Sequence, residues 1–382
     1  MKCDRVLLIA ATLPVFVYGT SGDYERPDPI HFAALVAAGV ALVAVATGQR
    51  WAGNFVLAAI VALGAYTRSI QGDHRASDVM VTTNEAVGVL FGGGNPYTHV
   101  YQLTNPPGAP FGYPPGEIVF YTVAHLLGGN VFRVDVACSI FTLGLIAALT
   151  PLAGDGLAAV ALGAIAYDRD VMFHLTDGSN DNAAAFLVLA GLVALAWSLA
   201  SSGRNAAVLW WISAVAFGWS LAFKEYAIPI ALFVGLFLWR RDARAARSWI
   251  GTMLGTAALF VLPFFAWNPV AFVANVGGAL VLHANVWGRN AWHDAVSFLP
   301  FATVFTPIIP LLMLAAVVGL GVVFWRRPAP SLGIAFLHGL ALVAVSFMLA
   351  RWTTSVYYMF CIPVLMGGVV LAFGEQQTVA AD

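Results

Sequence analysis

The sequence predicts an all-α, polytopic transmembrane protein, and three observations carry that expectation. Of 382 residues, 60% are hydrophobic and 10% charged, whereas a soluble domain carries about 25% charged residues. Mean hydropathy is +0.83. The apolar residues fall into repeated runs of spanning length, and Lys and Arg gather in a few short segments between them. Only lipid accommodates so much apolar surface, and in lipid a helix satisfies its own backbone. The formal net charge of −1 gives no basic field for a nucleic acid partner. Membrane lipids are the expected surroundings.

A spanning helix needs about 20 apolar residues. Candidate segments are 5–20, 30–48, 52–68, 116–132, 134–152, 156–167, 182–200, 206–222, 226–239, 249–267, 304–325, 331–350 and 353–373. The opening MKCDRVLLIAATLPVFVYGT has a basic start and an apolar run. No clear small-x-small cleavage site follows, so it reads as a first transmembrane helix. No internal repeat or soluble module interrupts the series, and residues 1–382 form a single domain. Cys3, Cys138 and Cys361 lie far apart, match no zinc or disulfide spacing, and read as reduced thiols.

Orientation follows from basic residues, which stay on the cytoplasmic side. WRRDARAARSW (239–249), WRRPAPS (325–331) and the MKCDR start are therefore placed inside. Counting spans puts 68–115, 177–182, Lys224, 268–303 and Arg351 outside. Residues 115 and 177 then share a side, which requires an even number of crossings between them. Three candidate segments lie there: 116–132, 134–152 and 156–167. The last holds only about 12 apolar residues, too few to span, and reads as the partial one. Parity alone leaves the other two open for that role. The expectation is about 12 full spans plus a partial one.

Polar residues gather on the predicted outer side. The first outer loop carries Asp73, His74, Arg75, Asp78, Glu85, Asn95, Tyr97 and Tyr113. Within it, ASDVMVTTNEAVGVLF (76–91) spaces Val79, Ala86, Val87 and Leu90 as an amphipathic surface helix. Asp78 at its start fits either a helix cap or a catalytic carboxylate. NPY (95–97) and GYPPG (112–116) end that helix and return the chain to the membrane at Gly116. DGSNDN brings Asp177, Asn180 and Asp181 to a helix start, as a turn or as a site. FKEYAIP brings Lys224 and Glu225 to a membrane boundary, and LARWTTSVYYMF brings Arg351 to another. Snorkelling or interfacial anchoring explains each basic residue singly. An ionisable residue near or inside a span is by default a functional candidate. Loop 268–303 adds His283, Trp287, Arg289, His293 and Asp294. Its spacing fits no strong metal-ligand template, so no metal ligands are assigned.

A carboxylate with Lys and Arg around an outward cleft suits transfer of a sugar from a lipid phosphate. The carboxylate takes the acceptor's proton, and the two cations stabilise the departing phosphate. GGGN (92–95) lacks the Lys and Ser/Thr of a nucleotide-phosphate loop.

The ordered motifs SDVMVTTNEAVGVLFGGGNPY…FGYPPG, DGSND, GWSLAFKEYAIPI and RWTTSVYYMFCIP resemble the GT-C superfamily of integral-membrane glycosyltransferases. The nearest likeness is to bacterial polyprenol-phosphate-mannose-dependent mannosyltransferases, over most of the chain. The resemblance implies a GT-C-like helical fold and an inverting hexosyltransferase of the plasma membrane, working on its extracytoplasmic face. It implies a polyprenyl-phosphate sugar donor, mannose-like, and a lipid or glycan acceptor. Asp78 matches the catalytic base, with Asp73 as the alternative base. Lys224 and Arg351 match donor-phosphate contacts. Asn95, Tyr97, Tyr113, Asp177, Asn180, Glu225 and His283 are the expected substrate-binding residues. A divalent metal, used by some relatives, would sit between Asp78 and Asp177. Three spans precede the first outer loop here, where many relatives have one. The competing reading is a secondary transporter of a small polar or lipid-linked solute, favoured by Gly/Pro-broken helices. No inverted repeat supports it, and the charges gather at one interface.

Overall fold

The computed structural model describes residues 2–21, 29–70, 77–104, 107–126, 131–167, 171–172, 179–277, 309–328, 330–349 and 355–381. Among the described residues the chain is helical and has no strand. The helices are α1 (Lys2–Thr20), α2 (Pro29–Ala46), α3 (Ala52–Ser69), α4 (Val79–Phe91), α5 (Pro115–Leu126), α6 (Val131–Ala147), α7 (Thr150–Ala153) and α8 (Asp155–Ala166). Then come α9 (Asp181–Ala200), α10 (Gly203–Phe223), α11 (Ala227–Arg241), α12 (Ala243–Trp267) and α13 (Pro269–Phe272), with a π turn at Val273–Gly277. The series ends with α14 (Ile309–Arg326), α15 (Leu332–Leu349) and α16 (Ser355–Ala381).

Every apolar segment expected to span contains a helix. Among the described residues, six helices are long and apolar enough to cross a membrane: Pro29–Ala46, Val131–Ala153, Asp181–Ala200, Gly203–Phe223, Ala243–Trp267 and Leu332–Leu349. They mark the chain as a membrane protein. Other expected spans are shorter as helices. Ala227–Arg241 has 15 residues. At about 1.5 Å rise per residue, a 15-residue helix covers about 22 Å, short of the hydrocarbon core.

Helix α9 is the centre of the bundle, with 72% of its apolar window enclosed by protein. It packs on α6, α10 and α16. On one side α1, α2, α3 and α8 pack together and join α9 through α6. On the other, α10 packs on α12, α11 on α15, and α15 on α14 and α16. Water drives no association between helices in lipid, so close backbone contact between small residues has to. Gly339 shows this: a Cβ there would lie 2.5 Å from Ile230 Cα. Gly333 does the same against α16, at 2.5 Å from Ala372 Cα.

The segment expected to be partial, 156–167, forms the 12-residue α8, buried on most sides. Its last carbonyls need donors that lipid does not supply. Arg68, 1% exposed, provides them. Its Nη1 donates to Ala166 O at 2.7 Å and its Nη2 to Ile165 O at 2.8 Å. Nε donates to Ser139 Oγ at 3.0 Å, so one guanidinium ties α3, α6 and α8 together.

Candidate functional site

The Pro/Gly-rich loop between α4 and α5 is a folded unit. Asn95 Oδ1 accepts the Tyr97 amide at 2.9 Å, an Asx turn that starts it. Tyr101 Oη donates to Pro96 O at 2.8 Å, and Tyr97 Oη to Tyr113 O at 2.8 Å. Gly108, at φ 89°, closes the loop by donating to Tyr101 O at 2.7 Å. The rings of Tyr97, Phe111, Phe264 and Phe272 interlock beneath it, which docks the loop on α12 and α13.

Helix α4 lies under this loop and packs Met80, Thr83, Ala86 and Val87 inward against α5 and α6. Val79 and Leu90, expected on the apolar face, lie at its half-buried rim. Thr83 contacts Glu117 of α5: Thr83 Oγ1 is in hydrogen-bond contact with Glu117 Oε1. The same hydroxyl reaches Val79 O at 2.8 Å. The hydroxyl is thus shared between a carbonyl of its own helix and the carboxyl of α5. Gly116 brings α5 this deep. A Cβ there would sit 2.5 Å from Ala222 O, and Trp219 Nε1 donates to Gly116 O at 2.9 Å.

Beside Glu117 lies an ion pair. Lys224, just past the end of α10, reaches Asp181 Oδ1 of α9 at 2.9 Å, with the side chains 3% and 2% exposed. The ammonium also lies 5.0 Å from the Tyr226 ring centre and 5.8 Å from that of Tyr357. Asn180 is fully buried next to Asp181, and its side chain faces Glu117. Neither Asn180 side-chain polar atom, nor Glu117 Oε2, closes a good hydrogen bond among the described residues. The start of α9 is capped from another helix. Asp135 of α6 accepts the Ala183 amide at 2.9 Å and Asn182 Nδ2 at 2.8 Å.

Asp78 occupies the N-cap position of α4 and is half-buried, yet its side chain bonds no helix amide. Ser77 Oγ accepts the Val79 amide instead, at 3.3 Å. The simple cap reading of Asp78 therefore fails. Its carboxylate lies within electrostatic reach of the Tyr113 phenol, as do Glu117, Asp181 and Tyr357. Enclosure by protein pushes the Tyr113 phenol pKa up, and these neighbours add to it.

Of the expected residues, Asn180 and Lys224 lie in one buried group with Asp181 and Glu117, and Tyr113 lies within electrostatic reach of Asp78, Glu117 and Asp181. Lys224 arrives as half of an enclosed pair and not as a free cation. Glu225 is exposed at the edge of the group. Tyr97, 2% exposed, is spent on packing the loop, and Asn95 on its turn. Asp73, Asp177, His283 and Arg351 lie outside the described residues, with His74, Arg75 and His293. Among the described residues no three His, Cys, Asp or Glu side chains converge as a metal site. Sequence reasoning missed Glu117, Asp135 and Thr83. Glu117 and Asp135 had a signal: each is an acid inside an apolar segment, where charge is costly. Thr83 had none.

No family model matches this sequence, and no curated protein matches it.

Proposed function

We propose that the chain is an inverting membrane glycosyltransferase of GT-C type, moving a mannose-like sugar from a polyprenyl phosphate to a lipid or glycan acceptor. One observation carries most weight. The helix bearing Asp78 is joined through Thr83 and Glu117 to the corner where Asp181 and Lys224 meet. A carboxylate at the start of one helix and a lysine at the end of an apolar one, both linked to Glu117's surroundings, suit chemistry at a lipid headgroup.

In this reading Asp78 accepts the proton of the acceptor hydroxyl, whose oxygen attacks the anomeric carbon. The bond from that carbon to the phosphate oxygen breaks, its electron pair stays on the phosphate, and the anomeric centre inverts. Lys224 stabilises the developing phosphate charge, drawn partly from Asp181 as the phosphate enters. Asp181 holds the ammonium in place until then. Enclosure excludes water, which strengthens the attraction.

The test is an assay of purified protein in liposomes with a panel of polyprenyl-phosphate sugars and a short-chain lipid acceptor. Transfer of label from one donor, with inversion, supports the reading. Uptake of solute into the liposomes without transfer would support the transporter instead.

A further inference from the structure

We propose that the arginine-rich end of the bundle, formed by α11, α12 and α14, is a binding site for the phosphate headgroup of an anionic phospholipid. This does not depend on the glycosyltransferase reading. The segments 239–249 and 325–331 hold six arginines (Arg240, Arg241, Arg244, Arg247, Arg326 and Arg327) and one acid, Asp242. The fold brings the two segments together. Arg240 Nη1 donates to Phe324 O and Arg327 O, each at 3.1 Å, and Nη2 to Arg327 O at 3.1 Å. These bonds cover the carbonyls at the end of α14, which would otherwise repel an anion. Asp242 offsets one of the six positive charges and leaves an excess of five: its Oδ1 accepts the Arg244 and Ala245 amides, at 2.8 and 3.1 Å. Those two backbone hydrogen bonds hold its carboxyl below the usual range, so it stays an ionised cap.

What remains is an open groove of about 290 Å³ lined by Phe237, Arg240, Arg241 and Pro330. Arg244, Arg247, Arg326 and Arg327, in the same two segments, are exposed. Guanidinium forks match phosphate oxygens in pairs. The surroundings select a lipid over a free anion. Trp239 and Trp325, 45% and 55% exposed, flank the site as headgroup-level aromatics do. The adjoining face of α14 leaves Val318, Val322 and Val323 exposed for acyl chains. Basic pockets between membrane helices bind anionic headgroups in this manner.

The test uses the full-length protein in non-ionic detergent, titrated with phosphatidylglycerol and followed by native mass spectrometry. Wild type should retain phosphatidylglycerol in preference to phosphatidylcholine. The double variant Arg241→Gln/Arg327→Gln should weaken that retention by roughly 30-fold, about fivefold per arginine. Arg204→Gln, an exposed arginine at the start of α10, should leave it unchanged. Equal retention by the double variant, equal binding of phosphatidylcholine, or inorganic phosphate binding as tightly as the lipid would each overturn the site. A matched circular-dichroism melt of the variants shows whether the fold is intact. If the double variant melts early, the lipid selectivity of wild type and its decline with added salt decide the question.

Discussion

At the residue scale, the decisive side chains are the acids at helix starts and inside apolar helices. At the start of α4, Ser77 Oγ and not Asp78 accepts the Val79 amide. Asp78→Asn should lower sugar transfer by about 10²–10⁴-fold, the usual weight of a general base, with the melting temperature unchanged. Transfer within a few-fold of wild type would remove Asp78 as the base. Glu117 makes a sharper case. Glu117→Gln keeps the shape and the oxygen that faces Thr83, and the variant should melt close to wild type. Glu117→Leu removes the Thr83 contact and should cost about 1–3 kcal/mol. Thermal unfolding in detergent separates the two. Lys224 and Asp181 are buried together, so removing one strands the other. Lys224→Met or Asp181→Leu should each cost about 3–5 kcal/mol, and combining them should recover part of that loss. A double-mutant cycle on unfolding midpoints measures the recovery.

At the element scale, short helices need side chains from their neighbours. Helix α8 ends inside the bundle, and Arg68 from α3 takes its last carbonyls. Arg68→Met should therefore destabilise by about 1–3 kcal/mol for each carbonyl left bare. Amide exchange should rise first at residues 163–167, since a helix frays from the end that loses its partners. Helix α5 depends on Gly116 in a different way. A methyl at that position would strike the Ala222 carbonyl, so α5 would move away from α10. Gly116→Ala should cost about 1–3 kcal/mol as overpacking. It should lower transfer as well, because Glu117 follows Gly116 and would be displaced from Thr83 and Asn180. An unshifted melt with full transfer would show that this contact does not position the site.

At the scale of the whole molecule, composition and apolar periodicity were enough for the helices. Each run from 5–20 to 353–373 contains one, because in lipid an apolar segment has no better way to satisfy its backbone. The basic clusters at 239–249 and 325–331 were also legible as features of one face, and orientation gives a direct test. In a cysteine-depleted background, a thiol at the exposed Gln102 should react with an impermeant reagent from outside intact cells, and one at the exposed Arg244 only after permeabilisation. The reverse pattern would move the site to the other side. Hydropathy did not show which helices are long enough to cross, since it does not see where a helix begins and ends within an apolar run. It also did not show the pairings. Lys224 and Asp181 are 43 residues apart, and Thr83 and Glu117 are 34 apart. Asp135 caps a helix that starts 46 residues later, at Asp181. Such pairs depend on which helix faces which, and that is fixed by small-residue contacts such as Gly116 on Ala222. A side chain's polarity is written in the sequence, but its partner is chosen only when the helices pack.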